Sequence, residues 1–224
     1  MRLVVRIGGS VVASPPNTVL IGKYADLIKA VKAQGHEVAV VVGGGSLARE
    51  FIKIARDLGL EMQAQDEIAI SCSRLFAQLF LKRLGEAGCS KVAVTIEEAA
   101  KCLEEGKILV MGGLKPGITT DTVAALVAER VGADFMVKGT DQEGIYNKDP
   151  RKHPDALKLD CLSFEDLPKI FEENVHKAGI HQIVDPEAIK VLKRHRVKLV
   201  VFNGFKPENL LAAVKGEKVG TIIS

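Results

Sequence analysis

Three short, mostly apolar runs in this chain end in glycine. They are Leu3–Ile7 before Gly8-Gly9-Ser10, Glu37–Val42 before Gly43-Gly44-Gly45, and Ile108–Met111 before Gly112-Gly113. Glycine lets a backbone approach a ligand closely, and the free N–H groups that open a helix attract phosphate. One such loop is as readily a plain turn, whereas three at equivalent strand ends point to anion binding. Arg49 stands one turn into the helix expected after the second loop, where its planar fork of donors can reach a phosphate. Thr119 and Thr120 offer hydroxyls and N–H groups at the start of another helix, just after a Pro116-Gly117 turn. Ser46, Asp66 and Asp121 each read first as the cap of a helix.

The two common nucleotide fingerprints are missing. There is no G-x-x-x-x-G-K-[ST], and neither glycine triplet extends to G-x-G-x-x-G. A phosphate-binding sheet without either pattern excludes Walker-type ATPases and disfavours dinucleotide-binding folds.

The elements that must position these groups alternate. Helical spacing runs through Val19, Leu20, Tyr24, Leu27, Ile28 and Val31 up to Gly35, and again through Leu47, Phe51, Ile54, Ala55 and Leu58. A longer helix is predicted over Asp66–Gly85, apolar over an arc wide enough for a core or a partner subunit. A strand is predicted at Val92–Val94, helices at Ile96–Glu105 and Asp121–Val131, and a strand at Phe135–Val137. Pro150–Leu162 shows no clean period and reads as a hairpin or loop flap. Helices at Phe164–Phe171, Pro186–Arg196 and Pro207–Val214, with strands at Lys198–Phe202 and Val219–Ile223, complete the chain. Short apolar strands alternating with helices give an α/β fold with a mainly parallel sheet covered on both faces. No linker or repeat divides residues 1–224, which read as one domain.

Composition narrows the partners. A formal net charge of +3 without a block of like charges gives no nucleic-acid footprint, and 4% aromatic residues leave too few to build a base-stacking platform. The basic stretch Lys193-Arg194-His195-Arg196 ends a helix, where cations suit the dipole. The four cysteines have no C-x-x-C spacing and no histidine cluster, so reduced thiols are expected, with Cys72 buried. No apolar stretch of about 18 residues is present and the N-terminus opens directly into a strand, which reads as a cytoplasmic protein without membrane contact.

Against that background the chain resembles the amino acid kinase family. The likeness lies in Val5-Arg6-Ile7-Gly8-Gly9-Ser10, in Val41-Val42-Gly43-Gly44-Gly45, in Gly139 through Pro150 (GTDQEGIYNKDP), and in Asn203-Gly204 with Gly220-Thr221-Ile222-Ile223. Two segments resemble the archaeal-type UMP kinases within it: Gly43 through Arg49 (GGGSLAR) and Met111 through Ala125 (MGGLKPGITTDTVAA).

The resemblance implies a three-layer αβα sandwich of the carbamate kinase-like type, and transfer of the γ-phosphate of ATP to UMP, giving UDP and ADP for pyrimidine nucleotide synthesis. It implies that Gly9, Ser10, Gly45 and Arg49 meet the ATP phosphates, and that Thr140, Tyr146 and Asp149 hold adenine and ribose. On the acceptor side it implies Gly44 at the UMP phosphate, Asp66 at the ribose, and Leu114, Lys115, Pro116, Gly117, Ile118, Thr119 and Thr120 wrapping the nucleotide. It further implies magnesium bound mainly through ATP oxygens, with no metal ligands of the protein's own, and a homohexamer built as a trimer of dimers. Arg49 is the expected catalytic residue, stabilising phosphate charge. A phosphate oxygen of UMP is already ionised near neutral pH, so no general base is expected. One departure stands out: many members carry lysine where this chain has Arg6, whose side chain should still lie near the phosphate end of its strand. Lys190 reads as a surface lysine. Two alternatives remain open, a kinase for another acceptor such as isopentenyl phosphate, and a non-catalytic ATP- or oxyanion-binding storage protein.

Overall fold

The computed structural model of the chain describes residues 1–167 and 183–224. Its centre is β1 (Arg2–Ile7), which pairs in parallel with β2 (Glu37–Val42) on one side and β4 (Phe135–Thr140) on the other. β3 (Leu109–Met111) extends the sheet beyond β2, and β8 (Lys198–Asn203) extends it beyond β4. The far edge carries β9 (Thr221–Ile223), antiparallel to β8, and then β7 (Cys161–Leu162). The order is β3-β2-β1-β4-β8-β9-β7. The chain winds outward from β1 through β2 to β3 and then crosses back to β4. That reversal opens a crevice at the carboxyl ends of β1, β2 and β4, where open α/β sheets bind ligands.

Alternation along each strand sends side chains to two helical layers. Leu3, Val5 and Ile7 of β1 join one core with α2 (Thr18–Ala33) and α4 (Met62–Leu84), in which Tyr24, Ile28, Phe76 and Phe80 are fully or nearly fully buried. Val4 faces the second core, built on α5 (Ile96–Glu104), α6 (Thr120–Val131) and α7 (Pro186–Arg194). The expected three-layer αβα sandwich is therefore observed. The same period of two places Arg6 on the α6 side of β1, and Lys138, two residues after Met136, on the α6 side of β4.

Several expectations are refined. The long helix begins at Met62 with Glu61 as its N-cap, so Asp66 lies inside the helix and does not cap it. α3 (Gly45–Asp57) is capped by Gly44, and the Ser46 hydroxyl turns instead to the Ala13 carbonyl at 3.0 Å. The strand predicted at Val92–Val94 reduces to a single parallel bridge between Ala93 and Met111. The flap is a small antiparallel pair, β5 (Ile145–Tyr146) with β6 (Lys158–Leu159), after which the chain returns to the main sheet as β7. The helix predicted over Phe164–Phe171 lies in part outside the described residues. α8 (Asn209–Val214) packs near β8 as the last helix.

The expectation of four reduced thiols is corrected. Cys89, after the turn that ends α4, is joined as a disulfide to Cys102 of α5, with their Cα atoms 6.0 Å apart. Their 13-residue separation gave no motif to find. Cys72 is free and buried as expected, and Cys161 is free and exposed.

Candidate active site

The first two glycine loops interlock at the crevice. Gly8 N–H donates to the Gly139 carbonyl at 2.9 Å, and the chain turns at once into the short helix α1 (Gly9–Val12). A Cβ on Gly9 would stand 2.2 Å from the Gly45 nitrogen, and one on Gly45 would stand 2.4 Å from both the Gly9 and Ala13 carbonyl oxygens. Gly45 also has φ +61°, a left-handed conformation that side chains resist. The two loops thus need glycine at both positions to sit backbone against backbone. Ser14, which the sequence did not single out, ties them together: its hydroxyl donates to the Gly9 carbonyl at 3.1 Å and accepts from Ser46 N–H at 2.6 Å. Arg49 reaches the same hydroxyl at 3.4 Å from an otherwise exposed position.

The third glycine pair has a different cause. A Cβ on Gly112 would lie 2.6 Å from the Arg74 backbone nitrogen, and one on Gly113 would lie 2.9 Å from Ile70 Cγ1. Gly113 N–H is already spent on Ser73 Oγ at 2.7 Å. Gly112-Gly113 is therefore a seat for α4, and Gly113, its N–H already bonded to Ser73, also lines the smaller cavity.

Two cavities open along this edge. The larger, about 850 Å³, is walled by Gly9, Ser10, Gly44, Gly45, Arg49, Thr140, Tyr146 and Asp149, together with Arg6, Lys138, Thr119 and Thr120. All the residues expected to hold ATP are in this wall. The smaller, about 170 Å³, is walled by Gly44, Asp66, Lys115, Ile118, Thr119 and Thr120, with Ala48, Ala69, Ile70, Ser73 and Gly113. Gly44, Thr119 and Thr120 belong to both walls, so the cavities meet there. Leu114, Pro116 and Gly117 line neither cavity. Leu114 is half-buried against the α6 core, and Pro116-Gly117 form a turn in which Gly117 has φ +80°. Gly117 still belongs to the assembly, since its N–H donates to Asp66 Oδ2 at 2.8 Å.

The start of α6 supplies Thr119 and Thr120 to both walls, and the cations Arg6 of β1 and Lys138 of β4 stand in the larger one. Thr119 caps that helix, its hydroxyl accepting from Thr122 N–H at 3.2 Å and donating to Asp185 Oδ2 at 2.6 Å. The Thr122 hydroxyl donates to the same Asp185 oxygen. Thr120 Oγ1 accepts from Arg6 at 2.8 Å. Asp121 is not the cap that the sequence suggested. It is 6% exposed and faces two cations, Arg6 and Lys138. Arg6 Nε lies 2.7 Å from Asp121 Oδ1, close enough for ionic attraction but not aligned as a hydrogen bond. Lys138 Nζ donates to Asp121 Oδ2 and to the Ile183 carbonyl. Burial pushes the Asp121 carboxyl up, but Lys138 and Arg6 outweigh that and hold it below its ordinary value. Burial draws the Lys138 ammonium down despite Asp121.

Lys138 was missed from sequence because a lysine inside an apolar strand carries no pattern. The usable signal was its alternation with Met136 on the face that α6 covers. Arg6 lies at the phosphate end of its strand, as expected. Lys190 is exposed and paired with Glu187 at 2.6 Å, a surface lysine as read. Among the described residues no cluster of three or more His, Cys, Asp or Glu side chains is arranged to hold a metal ion, and no helix is long and apolar enough to cross a membrane.

Residues 1–203 match the amino acid kinase family. A uridylate kinase of Methanocaldococcus jannaschii is 44% identical over 225 residues, covering 100% of this chain and 99% of that protein. The crystal structure of uridylate kinase from Archaeoglobus fulgidus superimposes with a TM-score of 0.90 at 39% identity, covering both chains fully. The UMP kinase of Ureaplasma parvum, at 20% identity and a TM-score of 0.83, shares the fold.

Proposed function

Because the chain belongs to the amino acid kinase family, we propose that it is a uridylate kinase, transferring the γ-phosphate of ATP to UMP to give UDP and ADP. The observation that carries this reading is the meeting of two cavities at Gly44, Thr119 and Thr120, one large enough for a nucleoside triphosphate and the other holding a carboxylate, Asp66, for a second sugar. In-line transfer between two anions needs that juxtaposition more than any covalent chemistry.

ATP occupies the large cavity. Its phosphates meet the N–H groups of Gly9, Ser10 and Gly45 and the Ser10 hydroxyl, and its adenine and ribose lie against Thr140, Tyr146 and Asp149. UMP occupies the small one, its phosphate at Gly44 and its ribose hydroxyls on Asp66, with Lys115, Ile118, Thr119 and Thr120 of the 114–120 loop against it. Thr119 and Thr120 stand where the phosphates come together. The ionised UMP oxygen attacks without a general base. Arg49 stands free enough to swing onto the transferred group, and Arg6 and Lys138 oppose the charge that develops there.

Magnesium would be held mainly by the ATP oxygens and would supply charge neutralisation to the phosphates. A wall rich in cations and N–H groups, with Asp141 and Asp149 as its carboxylates, suits an ion that arrives with its nucleotide better than a resident one. The protein acts in the cytoplasm, with ATP and UMP as its small-molecule partners and no nucleic acid or membrane. Its assembly is a homohexamer made as a trimer of dimers, a reading supported by the exposed large apolar side chains Leu75 and Leu79 on α4 and Phe51, Ile54 and Leu58 on and just after α3.

The test is a coupled assay of ADP release from ATP and magnesium with UMP, CMP, isopentenyl phosphate or no acceptor. Release that depends on UMP and prefers it over the other two is expected. A preference for isopentenyl phosphate, or ATP binding with no acceptor-dependent release, rejects the proposal.

A further inference from the structure

Helix α4 holds the acceptor loop at three points along one face. Asp66 Oδ2 accepts from Gly117 N–H at 2.8 Å. Ser73 Oγ accepts from Gly113 N–H at 2.7 Å while donating to the Ile70 carbonyl at 2.7 Å. Arg74 then donates Nε to the Gly113 carbonyl and Nη2 to the Leu114 carbonyl, each at 3.0 Å. Positions 66, 70, 73 and 74 fall on one side of a helix, so a single rigid element sets the whole loop.

Asp66 and Ser73 line the small cavity, but Arg74 lines neither cavity. Its guanidinium is half-buried, and both of these bonds end on loop carbonyls. Two consecutive carbonyls turned to one side are a target that suits a planar fork, whereas the ammonium of lysine is a compact point charge. Glycine stands at 112, 113 and 117 of this loop, and glycine loses the most conformational freedom on ordering. A loop left to order only when its ligand arrives charges that entropy against binding.

We propose that Arg74 is a positioning residue for the acceptor nucleotide, fixing the peptide planes at Gly113 and Leu114 so that Lys115 and Ile118 are already in place on the small cavity before UMP enters. The proposal rests on the uridylate kinase reading. Arg74 acts through the loop without touching either substrate, so its loss weakens UMP and leaves ATP, bound in the other cavity, nearly unaffected.

The test is steady-state kinetics of Arg74→Met and Arg74→Lys with UMP and ATP varied separately, beside thermal melts with UMP alone and ATP alone. In Arg74→Met the ratio of KM for UMP to KM for ATP rises about tenfold, the scale of two lost charge-assisted bonds to a loop. The stabilisation by UMP shrinks while that by ATP persists. Arg74→Lys shows the same shift, smaller in size, because charge returns without the fork. A rise in the KM ratio of less than about threefold overturns the proposal, and a larger one supports it. If Arg74→Met does not fold, Arg74→Lys decides by the same threshold. Wild-type protein that releases no ADP in response to UMP defeats the underlying reading as well, which separates the two failures.

Discussion

Arg6 and Lys138 are register partners on the adjacent parallel strands β1 and β4, so a half-buried and a buried cation stand side by side, with the Asp121 carboxylate of α6 facing both and Asp185 also attracting Lys138. Like charges directly across a sheet repel, and each pays for leaving water. The trio of Arg6, Lys138 and Asp121 carries one positive charge in excess in the wall of the large cavity, offset in part by Asp185 beside Lys138. In the proposed reaction an arriving phosphate completes it. The arrangement stabilises the fold less than an apolar filling of the same space would, which is the mark of a site kept for binding.

Asp121→Asn should expose that imbalance. Removing one partner of a buried ion pair costs roughly 3–5 kcal/mol, and here it leaves two cations without their shared partner. We expect a thermal midpoint lowered by about 10 °C and a turnover number lowered by about a hundredfold. Asp121→Asn combined with Lys138→Met should recover part of the stability and none of the activity. A double variant no more stable than Asp121→Asn, measured by thermal melts, sinks the charge-balance account.

The same cluster sets an acid dependence. Burial raises Asp121, but Lys138 and then Arg6 bring it below the ordinary carboxylate value. A carboxyl depressed in the folded state contributes stability that is complete above its unfolded pKa of about 3.9 and is lost as pH falls through the folded value. Lys138→Met removes the larger opposing pull and leaves the burial, so the folded value rises toward or above the unfolded one, and the stability lost on acidification shrinks or reverses. Urea melts from pH 6 down to about pH 3 should show the variant less stable at pH 6 and losing less stability on acidification than the original protein. Identical pH profiles would separate Lys138 from Asp121 energetically.

How much of this was legible in the sequence differs by element. β1, β2 and α3 were readable because apolar runs ending in glycine have few alternative folds. The Gly9 and Gly45 loops kept their expected place, and every residue expected at ATP reached one wall. Gly112-Gly113 looked the same in sequence and differs in cause, because a glycine that admits a ligand and one that admits a helix leave the same letter. Asp66 and Asp121 each looked like caps since both stand near a helix start, and only tertiary pairing tells a cap from a buried ion partner. The cluster Arg6–Asp121–Lys138 spans 132 positions in the chain and depends on the β1–β4 register, which no local pattern encodes. The Cys89–Cys102 bridge was hidden for the same reason.

Arg49 tests the mechanism more directly. Its side chain is exposed, bonded only weakly to Ser14 at 3.4 Å, and belongs to the wall of the large cavity. Arg49→Ala should leave the circular dichroism spectrum and thermal midpoint unchanged, because surface truncations rarely move stability by more than about 0.5 kcal/mol. Turnover should fall by at least about a hundredfold, the scale of a lost transition-state donor. Arg49→Lys should recover only part, since it restores charge without the fork. A full turnover number in Arg49→Ala removes this residue from the reaction.

Asp66 separates acceptor from donor. Asparagine at this position keeps an oxygen for Gly117 N–H, so the loop contact survives, but it loses the charge that lets one carboxylate accept two sugar hydroxyls. Asp66→Asn should raise KM for UMP roughly tenfold with KM for ATP within about twofold of its original value. Equal rises in both constants would place Asp66 outside the acceptor site.

The apolar surface of α3 and α4 predicts assembly. On α4, Phe76 and Phe80 point into the core while Leu75 and Leu79, one residue earlier in each case, are 51% and 50% exposed. Their four-residue spacing lines them along the helix, and on and just after the neighbouring α3 Phe51, Ile54 and Leu58 are likewise exposed. Single exposed leucines need no explanation, but five large apolar side chains left exposed on two packed helices are surface that a subunit contact would cover. Leu75→Glu with Leu79→Glu places two charges on that face and should halve the oligomer or reduce it to monomers by light scattering. The fold of each subunit should persist, since neither side chain belongs to either core. An unchanged mass in the double variant would move the subunit contact elsewhere, and a monomeric wild-type protein would remove it.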